Sequence, residues 1–154
     1  ANDRRIPALE SLIGDAVAHG ARLTTGGRRI GNEGFFFEPT VLADVPTDAR
    51  IMNEEPFGPV AVINRFATLD EAITEANRLP FGLAAYAFTR SGATATRLGN
   101  ELEAGMTTIN HLGLALPEVP FGGIKDSGLG YKEGVQEAMK SFTNVKTWSL
   151  PWPG

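Results

Sequence analysis

The feature that most constrains this chain is the way its residue pattern switches period between Val60 and Asn110. Val60-Ala61-Val62-Ile63-Asn64-Arg65-Phe66 is dense in β-forming side chains and reads as a strand. Thr68-Leu69-Asp70-Glu71 follows at once with capping-box spacing, in which a hydroxyl and a carboxylate satisfy orphan backbone donors at a helix start. Leu69, Ala72, Ile73 and Ala76 then recur at helical intervals and stop before Pro80. Ala84–Thr89 returns to strand character. Ser91 offers a cap to a helix carrying Ala95, Leu98 and Leu102, Gly105 closes it, and Met106–Asn110 is a further strand. Strand, helix, strand, helix, strand implies right-handed crossovers and a parallel sheet, so the predicted fold class is α/β.

The flanks fit this class. Ile6, Leu9, Ile13, Ala16 and Val17 share one helical face, and Gly20 suits a left-handed helix end. A short strand is expected at Ala21–Thr25, then a polar turn over Gly26–Gly34, then strands at Phe35-Phe36-Phe37 and Val41-Leu42. Towards the end, Val135, Ala138, Met139 and Phe142 mark a helix and Val145–Leu150 a last strand. Two loops stand out, Ile51–Pro59 and His111–Tyr131, and loops at strand ends of an α/β sheet are where ligands usually sit.

Composition removes several functions. A net charge of −4 gives no electrostatic footprint for nucleic acid, and no apolar stretch is long enough to span a membrane or is placed like a signal peptide. There are no cysteines among the 154 residues, so these residues supply no disulfide, thiolate metal site or thiol nucleophile, and a reducing cytoplasmic location is compatible. The two histidines, His19 and His111, have no second ligand at metal spacing, so no metal is expected. The start at Ala1-Asn2-Asp3-Arg4-Arg5 suits a fragment, although removal of an initiator Met before Ala would look the same.

Two segments hold chemistry-bearing residues. In Asn53-Glu54-Glu55-Pro56-Phe57-Gly58-Pro59, two carboxylates precede an aromatic and a rigid Gly-Pro turn. A carboxylate on a stiff loop accepts two hydroxyl hydrogen bonds at once, as a ribose offers; on composition alone, a solvated acidic loop is the preferred reading. Pro120-Phe121-Gly122-Gly123-Ile124-Lys125-Asp126-Ser127-Gly128-Leu129-Gly130 is glycine-rich, which suggests a phosphate cradle. It has neither the Gly-Lys-Ser/Thr of one such loop nor the strand and G-x-G-x-x-G spacing of the other, so that reading fails. No G-x-S-x-G nucleophile elbow is present.

Taken in order, Gly34-Phe35-Phe36-Phe37-Glu38-Pro39-Thr40-Val41, Glu55-Pro56-Phe57-Gly58-Pro59-Val60, Phe81-Gly82-Leu83-Ala84-Ala85, Asn110, the Pro120–Gly128 segment and Val145-Lys146-Thr147 resemble the aldehyde dehydrogenase superfamily, semialdehyde dehydrogenases included. The resemblance covers essentially the whole chain. It implies the C-terminal part of a catalytic domain over residues 1–144 and an oligomerisation strand and tail over 145–154. It also implies an NAD- or NADP-dependent enzyme that oxidises an aldehyde to a carboxylic acid through a thiohemiacetal and a thioester on a cysteine. By the same resemblance, the nucleophile, general base and dinucleotide-binding domain lie upstream, and this chain alone would be inactive.

The roles it implies are specific. Glu55 matches the glutamate holding the nicotinamide ribose hydroxyls, Phe57 an aromatic beside the nicotinamide, and Leu83 an apolar neighbour of that ring. Phe121 matches an aromatic wall of the aldehyde pocket, and the loop from His111 to Glu118, with Ala115 and Leu116, its entrance. Lys146–Leu150 resembles the strand that joins a neighbouring subunit's sheet, implying a homo-oligomer.

Two departures matter. After Gly130 the family usually continues Arg-Glu, whereas Tyr131-Lys132-Glu133 is one residue longer here, leaving Glu133 as the expected accessory glutamate. His111-Leu112-Gly113-Leu114-Ala115-Leu116 is apolar where succinate-semialdehyde relatives place hydroxyl or amide groups, which favours an uncharged or aromatic aldehyde. The competing expectation is a standalone, non-catalytic oligomerisation module of the same fold. A nucleotide-binding module acting alone is disfavoured, because Glu55 and Phe57 would touch only one end of a dinucleotide.

Overall fold

A computed structural model of the chain describes residues 2–129, 133–134, 138–140 and 142–151. The chain divides into two compact units, Ala1–Ala67 and Thr68–Gly154.

In the first unit, helix α1 (Arg5–Ala18) buries Ile6, Leu9, Ile13 and Ala16 of the predicted face, but Leu12 joins them in place of Val17, which the turn towards Gly20 leaves exposed. It ends where Gly20 turns to φ 102° and the Ala21 amide reaches back to the Ala16 carbonyl at 2.9 Å. Strands β1 (Arg22–Thr25), β2 (Thr40–Ala43) and β3 (Val60–Ile63) form a sheet in that order. β1 runs antiparallel to β2, and β2 runs parallel to β3 with Thr40 opposite Val60 and Ala43 opposite Ile63. The α1 face, Phe37, Leu42, Val45, Ala49 and Ile51 make one core cluster, with Leu42 fully enclosed. Each large side chain buried there contributes roughly 2 kcal/mol of hydrophobic stabilisation.

The second unit has helices α2 (Leu69–Ala76) and α3 (Gly92–Glu101). Its strands are β4 (Phe81–Gly82), β5 (Ala84–Ala87), β6 (Met106–Ile109) and β7 (Ile124–Lys125). The predicted capping box is formed: Thr68 Oγ1 accepts from the Glu71 amide at 3.2 Å, and the Glu71 carboxylate accepts from the Thr68 amide at 3.4 Å. Ser91 caps α3 by accepting from the Thr94 amide at 3.2 Å. β5 and β6 pair in parallel across the α3 crossover, Ala84 opposite Met106 and Ala87 opposite Ile109, while β4 and β7 pair antiparallel.

The α/β class stands, with local corrections. The strands between Val60 and Asn110 do not form one ladder: β3 pairs with β2 and β5 with β6. Phe35-Phe36-Phe37 is not a strand. The Arg29 guanidinium donates to the Asn32 and Gly34 carbonyls, both at 2.9 Å, closing a turn that leaves only an isolated bridge between Arg29 and Phe37. Asn64 ends β3 early, because its side chain replaces the ladder: Oδ1 accepts from the Val45 amide at 2.8 Å and Nδ2 donates to the Val45 carbonyl at 2.9 Å. The strand expected at Val145–Leu150 is not formed. Among the described residues no strand pairs with it, and Val145 and Trp148 stand 99% and 76% exposed. Of the preceding helix, residues 138–140 are helical, Phe142 lies in a turn beyond them, and Val135 falls outside the described residues.

Candidate functional site

The acidic segment separates into two carboxylates with different work. A short 3-10 turn at Arg50–Met52 precedes it, anchored by the buried Ala49 and Ile51. Arg50 grips Glu54 with both arms of its guanidinium, Nε to Oε1 at 2.8 Å and Nη2 to Oε2 at 3.0 Å. Its Nη1 donates to Ser11 Oγ at 3.0 Å and its backbone amide to Asp15 Oδ2 at 2.8 Å, so the turn is tied to α1. Asn53 Nδ2 adds bonds to the Thr47 and Ala49 carbonyls, both at 2.9 Å. The Arg50 hydrogen bonds hold Glu54 below the usual carboxylate range.

Glu55 is exposed, and its carboxylate has no partner among the described residues. Its carbonyl accepts from the Phe57 amide at 3.1 Å, and the Gly58 carbonyl accepts from the Val60 amide at 2.8 Å, so the chain turns tightly into β3. The Phe57 ring is 61% exposed. Gly58 lies close to α1: a Cβ there would lie 2.5 Å from Leu9 Cδ1, so a larger residue would have to displace that buried side chain. A carboxylate and an aromatic ring are thus displayed together on a rigid turn. Chemically, the carboxylate can accept hydroxyl hydrogen bonds and the ring can pack against a flat apolar surface.

The second unit carries the remaining predicted residues. Leu83, half-exposed, joins β4 to β5, and its carbonyl accepts from the Met106 amide at 3.1 Å. Asn110 is structural: at φ 64° it ends β6 and clasps Thr89, Oδ1 accepting from the amide at 2.8 Å and Nδ2 donating to the carbonyl at 2.9 Å. After it the loop folds back on itself, with buried Thr108 donating to the His111 carbonyl at 2.8 Å and His111 Nδ1 accepting from the Gly113 amide at 3.2 Å. Leu114 is buried, whereas Leu112, Ala115 and Leu116 are exposed. Phe121 is half-buried and exchanges two backbone hydrogen bonds with Glu133, at 2.9 and 2.6 Å. The Phe121 and Glu133 backbones are therefore brought together.

The Gly-rich segment is packed on itself rather than opened around an anion. A Cβ on Gly123 would lie 2.5 Å from the Ser127 carbonyl oxygen, and one on Gly128 would lie 2.7 Å from the Gly123 carbonyl oxygen. Three anchors escaped the sequence reading. Lys125, at φ 53°, sends its ammonium to the Asn77 and Leu79 carbonyls at 2.9 and 3.1 Å and pairs with Glu103. Ser127 Oγ accepts from the Gly82 amide at 3.0 Å. Asn77 bridges the Glu101 carbonyl and the Glu103 amide at 2.7 and 2.8 Å. A lysine among glycines was the available signal for the first. Among the described residues, no cluster of three or more His, Asp or Glu could hold a metal ion, and no helix is long and apolar enough to cross a membrane.

Residues 1–148 match the aldehyde dehydrogenase family. The chain is 46% identical over 146 residues to the 4-(hydroxymethyl)benzenesulfonate dehydrogenase TsaD1 of Comamonas testosteroni, covering 95% of this chain and 30% of that protein. It is 41% identical to a probable NADP(+) succinate-semialdehyde dehydrogenase of Sinorhizobium fredii, covering 94% of this chain and 29% of that one. The solved succinate-semialdehyde dehydrogenase of Burkholderia pseudomallei superposes with a TM-score of 0.86 at 42% identity, over 92% of this chain and 29% of that one. The chain thus spans a little under a third of the length of these relatives.

Proposed function

This chain belongs to the aldehyde dehydrogenase family, and from that premise we propose that in the full-length enzyme it supplies one edge of the cofactor site and one wall of the aldehyde site. Glu55 accepts hydrogen bonds from the nicotinamide ribose hydroxyls, Phe57 packs beside the nicotinamide, and Leu83 adds an apolar neighbour. Phe121 walls the aldehyde, Ala115 lies at the entrance, and Glu133 holds the Phe121 backbone as an accessory. NAD or NADP, when bound, would supply the hydride acceptor for aldehyde oxidation. The contribution of these residues is placement: a fixed carboxylate orients the ribose, and the apolar side chains exclude water from the ring.

The observation that carries this reading is the contrast between adjacent carboxylates. Glu54 is bound by Arg50, while the Glu55 carboxylate on the same turn has no partner among the described residues. A free acidic side chain on a stiffened loop is arranged for a ligand. Glu55→Gln in the full-length enzyme exchanges charge-assisted bonds for neutral ones. The kcat/KM for NAD(P) should then fall about ten- to a hundredfold, as expected for about 1.5–3 kcal/mol. Unchanged cofactor kinetics would remove the assignment.

Three extensions follow. The attacking thiolate of the family must come from outside these 154 residues, so a pure sample of this chain should show no NAD(P)-dependent aldehyde oxidation. The apolar run Leu112–Leu116 suits an apolar or aromatic aldehyde better than a dicarboxylic semialdehyde; the Comamonas relative's name supports the aromatic ring, while its sulfonate and the succinate-semialdehyde relatives speak for an anionic group. Preferential oxidation of succinate semialdehyde would reverse that preference. The unpaired tail at Val145–Leu150 provides a strand for a second copy, giving a homo-oligomer in the cytoplasm, and deletion of 145–154 should lower its order by sedimentation.

A further inference from the structure

We propose that Lys125 is a positioning residue for the aldehyde wall: its ammonium pins the Gly-rich loop that carries Phe121 to the corner between α2 and β4. The inference rests on the reading of Phe121 as that wall.

An ammonium has three donors, and here each has an acceptor: the Asn77 carbonyl at 2.9 Å, the Leu79 carbonyl at 3.1 Å and the Glu103 carboxylate. Both carbonyls lie just past the C-terminus of α2, where unpaired carbonyl groups and the negative end of the helix dipole favour a cation. These acceptors are themselves fixed, because the Asn77 side chain bonds the Glu101 carbonyl and the Glu103 amide. The Lys125 side chain is 24% exposed, against 54% for Glu103, so the ammonium is held inside the corner rather than lying on the surface. Its backbone sits at φ 53°, a left-handed conformation that a lysine keeps only where its surroundings impose it.

The neighbours of Lys125 are fastened to the same corner. The Asp126 amide donates to the Pro80 carbonyl at 2.8 Å, and Ser127 Oγ accepts from the Gly82 amide at 3.0 Å. On its other side, Phe121 is bridged by backbone bonds to Glu133. Between Phe121 and Ile124 come Gly122 and Gly123, which have no side chains with which to grip. The orientation of Phe121 depends on the backbone contacts of these glycines and on the anchors at either end of them, and Lys125 has the most polar partners of the side-chain anchors. A lysine in a family motif rich in glycine acts in this way on substrate fit without touching substrate.

The test uses the full-length enzyme with Lys125→Met and, as a milder variant that leaves the buried bonds intact, Glu103→Gln. Lys125→Met should raise the aldehyde KM about tenfold and leave the NAD(P) KM within about twofold, because misplacement is confined to the substrate wall. Amide exchange across residues 121–128 should quicken about tenfold, with α1 unaffected. Glu103→Gln should move both quantities the same way by about threefold, since one exposed partner of three is lost. Unchanged loop exchange in Lys125→Met would overturn the proposal. So would quicker exchange with an unchanged aldehyde KM, or a parallel rise in both Michaelis constants. If the unsubstituted enzyme oxidised no aldehyde with NAD(P), the parent reading would fall and take the aldehyde role with it. A normal parent rate with an unresponsive variant removes this inference alone.

Discussion

In residues 1–67, α1 lies over a buried cluster that includes Leu9, Leu12, Phe37, Leu42 and Ile51, while Val17, Phe36, Phe57, Ile63 and Phe66 stand exposed. In residues 68–154, the buried hydrophobic side chains among the described residues are Ile73, Leu98, Met106 and Leu114, while Phe81, Leu83, Tyr86, Phe88 and Leu112 stand exposed. Polar side chains bonded to backbone tie both units, Arg29, Asn53 and Asn64 in the first and Asn77, Asn110, Lys125 and Ser127 in the second, but in the second they work beside fewer buried apolar groups. The first unit therefore adds a buried cluster to its polar ties, so the loss of any one polar group is cushioned. The second leans more on directional bonds, which hold loops such as 120–128 in one conformation.

The largest expected effect tests the burial side of this contrast. Leu42→Ala removes a fully enclosed side chain and should cost about 3–5 kcal/mol in chemical denaturation followed by circular dichroism. Leu98→Ala, at the edge of burial in the second unit, should cost about 1–2 kcal/mol. Equal losses would mean that the second unit also depends on an apolar core. Gly82→Ala attacks the second unit by another route. Its Cβ would meet the Glu103 carbonyl, a backbone group, so the β4–β7 corner must shift, at a cost of about 1–3 kcal/mol. An unaffected midpoint would show that the corner is loose.

How much of this was legible in the residues follows the same division. The α1 face, the Thr68–Glu71 capping box and the Ser91 cap were readable because they depend on spacing within one segment. β4 and β7 were not, because two-residue strands have no period to detect and exist only through pairing across more than forty residues of chain. The three phenylalanines at 35–37 read as strand from β-propensity, but the Arg29 turn overrode it. Glu55 and Phe57 were singled out through a motif, whereas the different bonding of Glu54 and Glu55 needed the position of Arg50. Lys125 was visible only as an odd residue in a glycine run, since its three acceptors come from distant segments.

Asn64 and Asn110 give a matched pair, one in each unit, each bonding the amide and carbonyl of one distant residue. Replacing either by Ala should cost about 1–2 kcal/mol for the lost bonds. Asn110→Ala should cost about 1 kcal/mol more, because φ 64° is a conformation that Asn tolerates and Ala does not. Asn110→Gly should recover that increment and no more. If Asn64→Ala proved the costlier of the two, the greater dependence of the second unit on polar ties would be refuted.

The smallest expected effect is the pH response of the first unit. Glu54 is held below its ordinary value of 4.5 by the Arg50 hydrogen bonds, so its contribution is present above that value and fades as the pH falls through the lowered folded value. His19 runs the other way. The Asp15 carbonyl, and then the Asp15 carboxylate, raise it above 6.5, so its contribution is complete below that value and is lost as the pH rises through the raised one. Both groups lie on the surface, where solvent screens them, and each should therefore give only a shallow slope in the denaturation midpoint. Glu54→Gln should flatten the acid slope and leave the one near neutrality, and His19→Gln should do the reverse. A pH profile that neither substitution alters would mean that the ties from α1 to the Glu55 turn add nothing to the stability of the first unit. Burial alone would then have to hold the turn that carries Glu55 in place.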